Sequence, residues 1–171
     1  MNFKLITSRQ FEDLAKLYPV IFEKSKLDSF DVGLGWYPII ENLLQLIYDD
    51  LDNANIRLSY IREHNTNKMT FGQFNSEVVK WESKVKTLTD EIPVIVEVRE
   101  KFGGLRFSVT HGSEELKSYI KFAESLSLRT CEYCNNPGKP RNNGYIKTLC
   151  DKHDRLRDST GNYDVYDEDF E

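Results

Sequence analysis

The sequence predicts an α+β fold: a mainly helical N-terminal part, a β-hairpin or small antiparallel sheet, and a C-terminal metal-binding segment of treble-clef type. Three observations carry this. Apolar residues recur at three- and four-residue steps from residue 11 to residue 88. Two β-branched, alternating runs then flank Phe102-Gly103-Gly104. Finally, all three cysteines of the chain fall into one pattern, Cys-x-x-Cys followed by Cys-x-x-His. A length of 171 residues suits one main core with a small appendage. The expected organisation is an α+β body over 1–128, a zinc-binding segment over 129–157 and an acidic tail over 158–171.

The elements follow in order. Phe11, Leu14, Ala15, Leu17, Tyr18, Ile21 and Phe22 form the stripe of a first amphipathic helix, which Pro19 should kink or end. Residues 25–35 are polar, close on Gly33-Leu34-Gly35 and read as a loop. Trp36, Ile39, Ile40, Leu43, Leu44, Ile47 and Leu51 share one face of a second helix, with Pro38 in its first turn, where a missing N–H costs nothing. Trp36 heads that stripe and is expected to anchor the core. Residues 52–69 have weak periodicity and the polar run His64-Asn65-Thr66-Asn67, which suggests a helical extension and then an exposed loop. Phe74, Val78, Trp81, Val85 and Leu88 mark a third helix with Lys and Glu on its other face. The run from Ile92 to Arg99 and that from Leu105 to Val109 are two antiparallel strands joined by the glycine turn. Ser113 is the N-cap of a fourth helix, with Glu114 and Glu115 favourably placed in its first turn and Leu116, Ile120 and Ala123 on its buried face.

Composition narrows the function classes. With 39% hydrophobic and 30% charged residues the chain reads as soluble and globular, and no apolar run approaches the ~20 residues of a membrane span. The first residues carry neither a sustained apolar stretch nor a small-residue cleavage site, so the expected location is cytoplasmic. An odd number of cysteines argues against a disulfide framework. A net charge of −5 and a pI near 5.3 disfavour general DNA binding, which relies on displacing counterions from phosphates.

Zinc takes about four nitrogen or sulfur ligands at the corners of a tetrahedron, and a tight Cys-x-x-Cys knuckle supplies two adjacent corners without strain. Cys131 and Cys134 form the knuckle; fifteen residues later Cys150 and His153 supply the second pair, with Pro137, Gly138, Pro140 and Gly144 turning the chain between. A short helix from Asp151 would carry the last ligands. The alternative is three unrelated thiols beside a surface histidine. The joint pairing of every cysteine with a suitably spaced histidine decides for the metal. With four protein ligands no position remains for an activated water, so the zinc is expected to be structural.

The second unusual feature is Glu97-Val98-Arg99-Glu100-Lys101-Phe102-Gly103-Gly104-Leu105-Arg106-Phe107. Lys101, Phe102, Gly103, Gly104 and Arg106 form a candidate ligand site, since they combine cations, an aromatic face and approachable backbone. Glycine turns are common, so an ordinary hairpin with its apolar residues in the core is the stronger reading. Alternation sets Arg106 opposite Leu105 and Phe107, which leaves two alternatives: Phe102 stacks on the ligand, or it turns into the core and only the cations meet the ligand.

Taken together, Tyr18-Pro19-Val20-Ile21-Phe22, Gly33-Leu34-Gly35-Trp36-Tyr37-Pro38, the Glu100 to Phe107 run, Thr130-Cys131-Glu132-Tyr133-Cys134 and Leu149-Cys150-Asp151-Lys152-His153 resemble a family of small, largely uncharacterised bacteriophage and prophage proteins. Residues 52–90 look like an expanded insertion. The resemblance implies phage origin and the host bacterial cytosol; it brings no activity with it. The expected function is that of a non-enzymatic binding protein acting on a host or defence factor, with sequestration of a nucleotide immune signal by the 101–106 turn as its specific form. One alternative is a metal-dependent nuclease using Asp90, Glu97 and Arg99, although arginine stands where such enzymes place lysine. Another is an adaptor for nucleic acid or protein built on residues 129–157, which hold seven Lys or Arg against three Asp or Glu. His64 and His111 read as surface residues.

Overall fold

A computed structural model describes residues 5–64 and 69–156. The acidic tail and most of the polar run after His64 lie outside the described residues. Among those residues the fold is α+β, with six α-helices and two separate two-stranded antiparallel sheets.

Helix α1 (Ser8–Leu17) opens with a capping box in which Thr7 accepts from the Gln10 amide and the Gln10 side chain accepts from the Thr7 amide. Pro19 occupies the first turn of α2 (Pro19–Ser25), so it divides the predicted first helix in two instead of bending it. A short 3-10 turn, Leu34–Trp36, leads into α3 (Tyr37–Glu63). This helix runs further than its first apolar stripe because Ala54, Leu58 and Ile61 continue a buried face. It pairs with α4 (Phe71–Glu91), and Arg62 reaches Glu82 across the pair at 2.6 Å. The predicted stripe of α4 is only half-buried, since α3 is its principal packing partner.

Strands β1 (Ile95–Lys101) and β2 (Gly104–Val109) pair as read, with Val98 opposite Phe107 and Arg99 opposite Arg106. Helix α5 (Glu114–Ser127) is capped by the Ser113 hydroxyl and covers β2. The Leu105 amide donates to Ser127 Oγ at 2.8 Å and the Phe107 amide to Glu124 at 3.2 Å. Thus α5 satisfies backbone that an edge strand would otherwise expose. The main core lies between these elements. Phe11 meets Phe22 and Phe30 edge-on with ring centroids 5.0 Å apart, and Trp36, Ile40, Leu44, Ile95 and Leu105 fill the remainder. No described helix is long and apolar enough to cross a membrane.

The C-terminal part comprises β3 (Lys139–Asn143), β4 (Tyr145–Leu149) and α6 (Asp151–Arg155). It has its own small core of Cys131, Tyr133 and Leu149, flanked by Cys134, Cys150 and Leu156. So few apolar side chains cannot by themselves offset the entropy of ordering the segment.

Candidate metal centre

The geometry starts at the turn after α5. The Cys131 amide donates to Asn136 O at 2.8 Å and the Asn135 amide to Cys131 O at 3.0 Å, closing a tight loop that turns both knuckle thiols one way. Asn135 takes a left-handed φ of 63°, which asparagine tolerates. At the other end Cys150 is the N-cap of α6, and His153 lies three residues on, on the same side of the helix. His153 Nδ1 stands 3.5 Å from Cys131 Sγ and 3.2 Å from Cys150 Sγ, while Cys134 and Cys150 Sγ are 3.8 Å apart. All four donor atoms lie within 4.8 Å of one another. This is the metal-ligand set read from the sequence, assembled in one place.

The surroundings fit a cation. Burial pushes the Cys131 thiol up to about 12, against the pull of three backbone amides. Cys150 is held below its ordinary value: burial opposes this, but the amide of His153 and the neighbouring thiols outweigh it. A bound cation would let both sulfurs ionise, because a coordinating thiol gives up its proton. Asn136 Nδ2 donates to Cys134 Sγ at 3.3 Å, and the Tyr133 ring covers His153 with centroids 4.3 Å apart. Such outer contacts fix the orientation of ligands.

The C-terminal segment is fastened to the body through the Gly33 to Trp36 stretch. Gly35 donates to Glu132 O at 2.9 Å, and a Cβ on Gly35 would stand 2.3 Å from Cys131 O and 2.7 Å from the Cys134 amide. Only glycine permits that approach. Trp36 is wholly buried, as expected of an anchor, and its indole N–H donates to Thr130 O at 2.9 Å. Glu132 has no exposed surface; its carboxylate accepts from the Gly33 amide at 3.2 Å and lies 3.2 Å from the Lys147 ammonium, which also reaches Glu100 at 3.1 Å. Burial pushes the Glu132 carboxyl up to about 7, and the charge of Lys147 works in the other direction. Sequence reading passed over Glu132 and Lys147. The one available signal was a carboxylate inside a knuckle, where burial is expected.

The candidate ligand site is arranged differently from expectation. Phe102 is 74% exposed, so of the two alternatives left open for it the structure gives an open aromatic face and not a buried ring. It holds the first position of a two-residue turn with φ 53°, followed by Gly103 at φ 79°, and this mirror-image turn directs its ring away from the core. Lys101 Nζ lies 5.6 Å from that ring. Arg106 faces outward as alternation requires, yet its guanidinium is held by Glu124 at 3.0 Å. Gly103 and Gly104 seat the turn instead on neighbouring structure: a Cβ on Gly103 would meet Ile146 at 2.8 Å, and one on Gly104 would meet Leu128 at 3.0 Å. Thr148 Oγ1 donates to Gly103 O at 2.6 Å. The turn therefore joins the C-terminal segment to the β1–β2 sheet.

Asp90 lies in the last turn of α4, whereas Glu97 and Arg99 form an ion pair at 3.0 Å on β1. Among the described residues the one cluster of three or more His, Cys, Asp or Glu side chains able to hold a metal is the Cys3His set. In the basic segment Arg141 is bound by Asp151 and, at 3.0 Å, by Asp154, and Lys147 by its two glutamates, so part of that charge is spent internally. His64 stacks on Tyr60 at 4.5 Å, and His111 Nδ1 lies 2.8 Å from Thr110 Oγ1. Comparison with protein-family models, curated proteins and solved structures finds no match to this chain.

Proposed function

We propose that this chain is a non-enzymatic binding protein of phage origin whose C-terminal part is a treble-clef module folded on one structural zinc ion, and that it acts by engaging a host or defence protein. The observation that carries the reading is the donor geometry. Zinc bonds of about 2.3 Å to sulfur and 2.05 Å to nitrogen give tetrahedral edges of about 3.8 Å between sulfurs and about 3.6 Å between sulfur and nitrogen. The separations of 3.8, 3.5 and 3.2 Å lie close to those edges. Three thiols and an imidazole favour zinc over magnesium or calcium, which prefer oxygen. They also fill the coordination sphere and leave no corner for a reacting water. A protein partner is supported above a nucleotide signal. Arg106 is engaged by Glu124, while Phe102 and Tyr145, 74% and 78% exposed, flank the contact of Gly103 with Ile146.

Cobalt substitution tests the reading, since cobalt in a tetrahedral sulfur-rich site absorbs strongly in the visible. The expected result is one cobalt per chain with a spectrum unchanged by azide. A spectrum that shifts with azide would reveal an open coordination position and overturn the non-enzymatic assignment.

A further inference from the structure

A cleft of about 870 Å³ opens on the face of the molecule where the middle of α3, the end of α4 and the start of α5 meet. Its floor is apolar, formed in part by Leu51, Leu88, Ile92 and Leu116. Five carboxylates stand around it: Asp49, Asp50, Asp90, Glu91 and Glu115. No Lys or Arg lines it, and its sole histidine, His111, is engaged by Thr110. Lys24 does not line it; its ammonium donates to the carbonyls of Thr89, Asp90 and Ile92 at 2.6, 3.1 and 3.0 Å.

The placement of these charges opposes stability. Asp90 and Glu91 occupy the last turn of α4, at the negative end of the helix dipole, and that turn holds no basic residue. None of the five carboxylates takes part in an ion pair, although ten ion pairs are found elsewhere among the described residues. Glu115 accepts only from Tyr119 OH, at 2.6 Å, and Asp49 only from Asn53, at 3.2 Å. A ring of like charge over an apolar floor is complementary to one kind of surface: lysines or arginines flanking aliphatic side chains.

We infer that this cleft docks a basic, amphipathic segment of a partner protein. The chain's own C-terminal tail is unsuited to it, because residues 158–171 hold six acidic residues and no basic one. A second copy is disfavoured by the net charge of −5. The cleft is separate from the metal centre and from the Phe102 turn, so the inference stands apart from the zinc reading.

The probe is a short helical peptide of leucine and lysine at amphipathic spacing, titrated into the full chain by calorimetry. Two doubly neutralised proteins are compared: Asp50→Asn with Asp90→Asn in the cleft, and Glu12→Gln with Glu63→Gln on exposed helix surface. The cleft variant is expected to bind roughly tenfold more weakly, with an unchanged or higher Tm, while the control, of equal net charge, binds as wild type. Equal weakening in both variants, or no binding by the wild type, would overturn the inference. So would displacement of the peptide by spermine or magnesium at similar concentration, because the cleft would then be a site for small cations.

Discussion

At Gly35 the backbones of two distant segments touch, and the absent side chain decides whether they can. Its φ is ordinary for any residue; what excludes a Cβ is the Cys131 carbonyl 2.3 Å away and the Asn135 amide at 2.7 Å, both main-chain atoms with little freedom to withdraw. Gly35→Ala is therefore expected to cost about 2 kcal/mol, in the range of overpacked sites, and to weaken metal retention because it pushes on the knuckle. Denaturant unfolding together with competition against a zinc-chelating dye checks both effects. A variant as stable and as tightly loaded as wild type would show that the approach is looser than described. Trp36 beside it was legible as an anchor because it heads a seven-position stripe, but its hydrogen bond to Thr130 was not, since 94 residues separate donor and acceptor. Glu132 escaped for the same reason: its burial is a product of Gly33 and Lys147 arriving from elsewhere.

Among the elements, the β1–β2 hairpin most clearly sets local preference against the observed conformation. A mirror-image two-residue turn favours Asn-Gly, whereas this chain places Phe102 in the left-handed region, at a cost of about 1 kcal/mol, with its ring mostly in solvent. Phe102→Asn should thus raise stability by up to about 1 kcal/mol, measured as a higher denaturant midpoint at unchanged slope. A loss of stability would mean that the ring packs against the protein after all. The helices and both first strands were readable because each carries its own period. The ends were harder: a helical extension beyond Leu51 was expected, but its end at Glu63 rests on burial of Ala54, Leu58 and Ile61, a weak local period that packing against α4 completes. The acidic cleft was also invisible beforehand, as its carboxylates come from three helices that only the fold brings together. The four clustered Cys and His residues, in contrast, fall in two close pairs, and spacing alone pointed to them as a possible metal site.

For the molecule as a whole, two cores of unequal size are joined by a seam of hydrogen bonds from Gly33, Gly35, Trp36, Gly103 and Glu132. The larger core holds some twenty buried apolar residues and the smaller has three, so the smaller is the one that a metal on the Cys3His set would support. Removing the acidic residues of 158–171 from the count leaves the rest of the chain within one charge of neutrality, so the net charge of −5 belongs largely to that tail. One zinc ion on Cys131, Cys134, Cys150 and His153 is proposed to hold the smaller core together. Native mass spectrometry of the protein, purified without chelator and then sprayed before and after EDTA treatment, tests it most directly. The expected result is a mass heavier by one zinc less the displaced thiol protons, and a shift to higher charge states after EDTA as the C-terminal segment opens. A metal-free mass in the untreated sample, with a charge-state distribution that EDTA leaves unchanged, would contradict it.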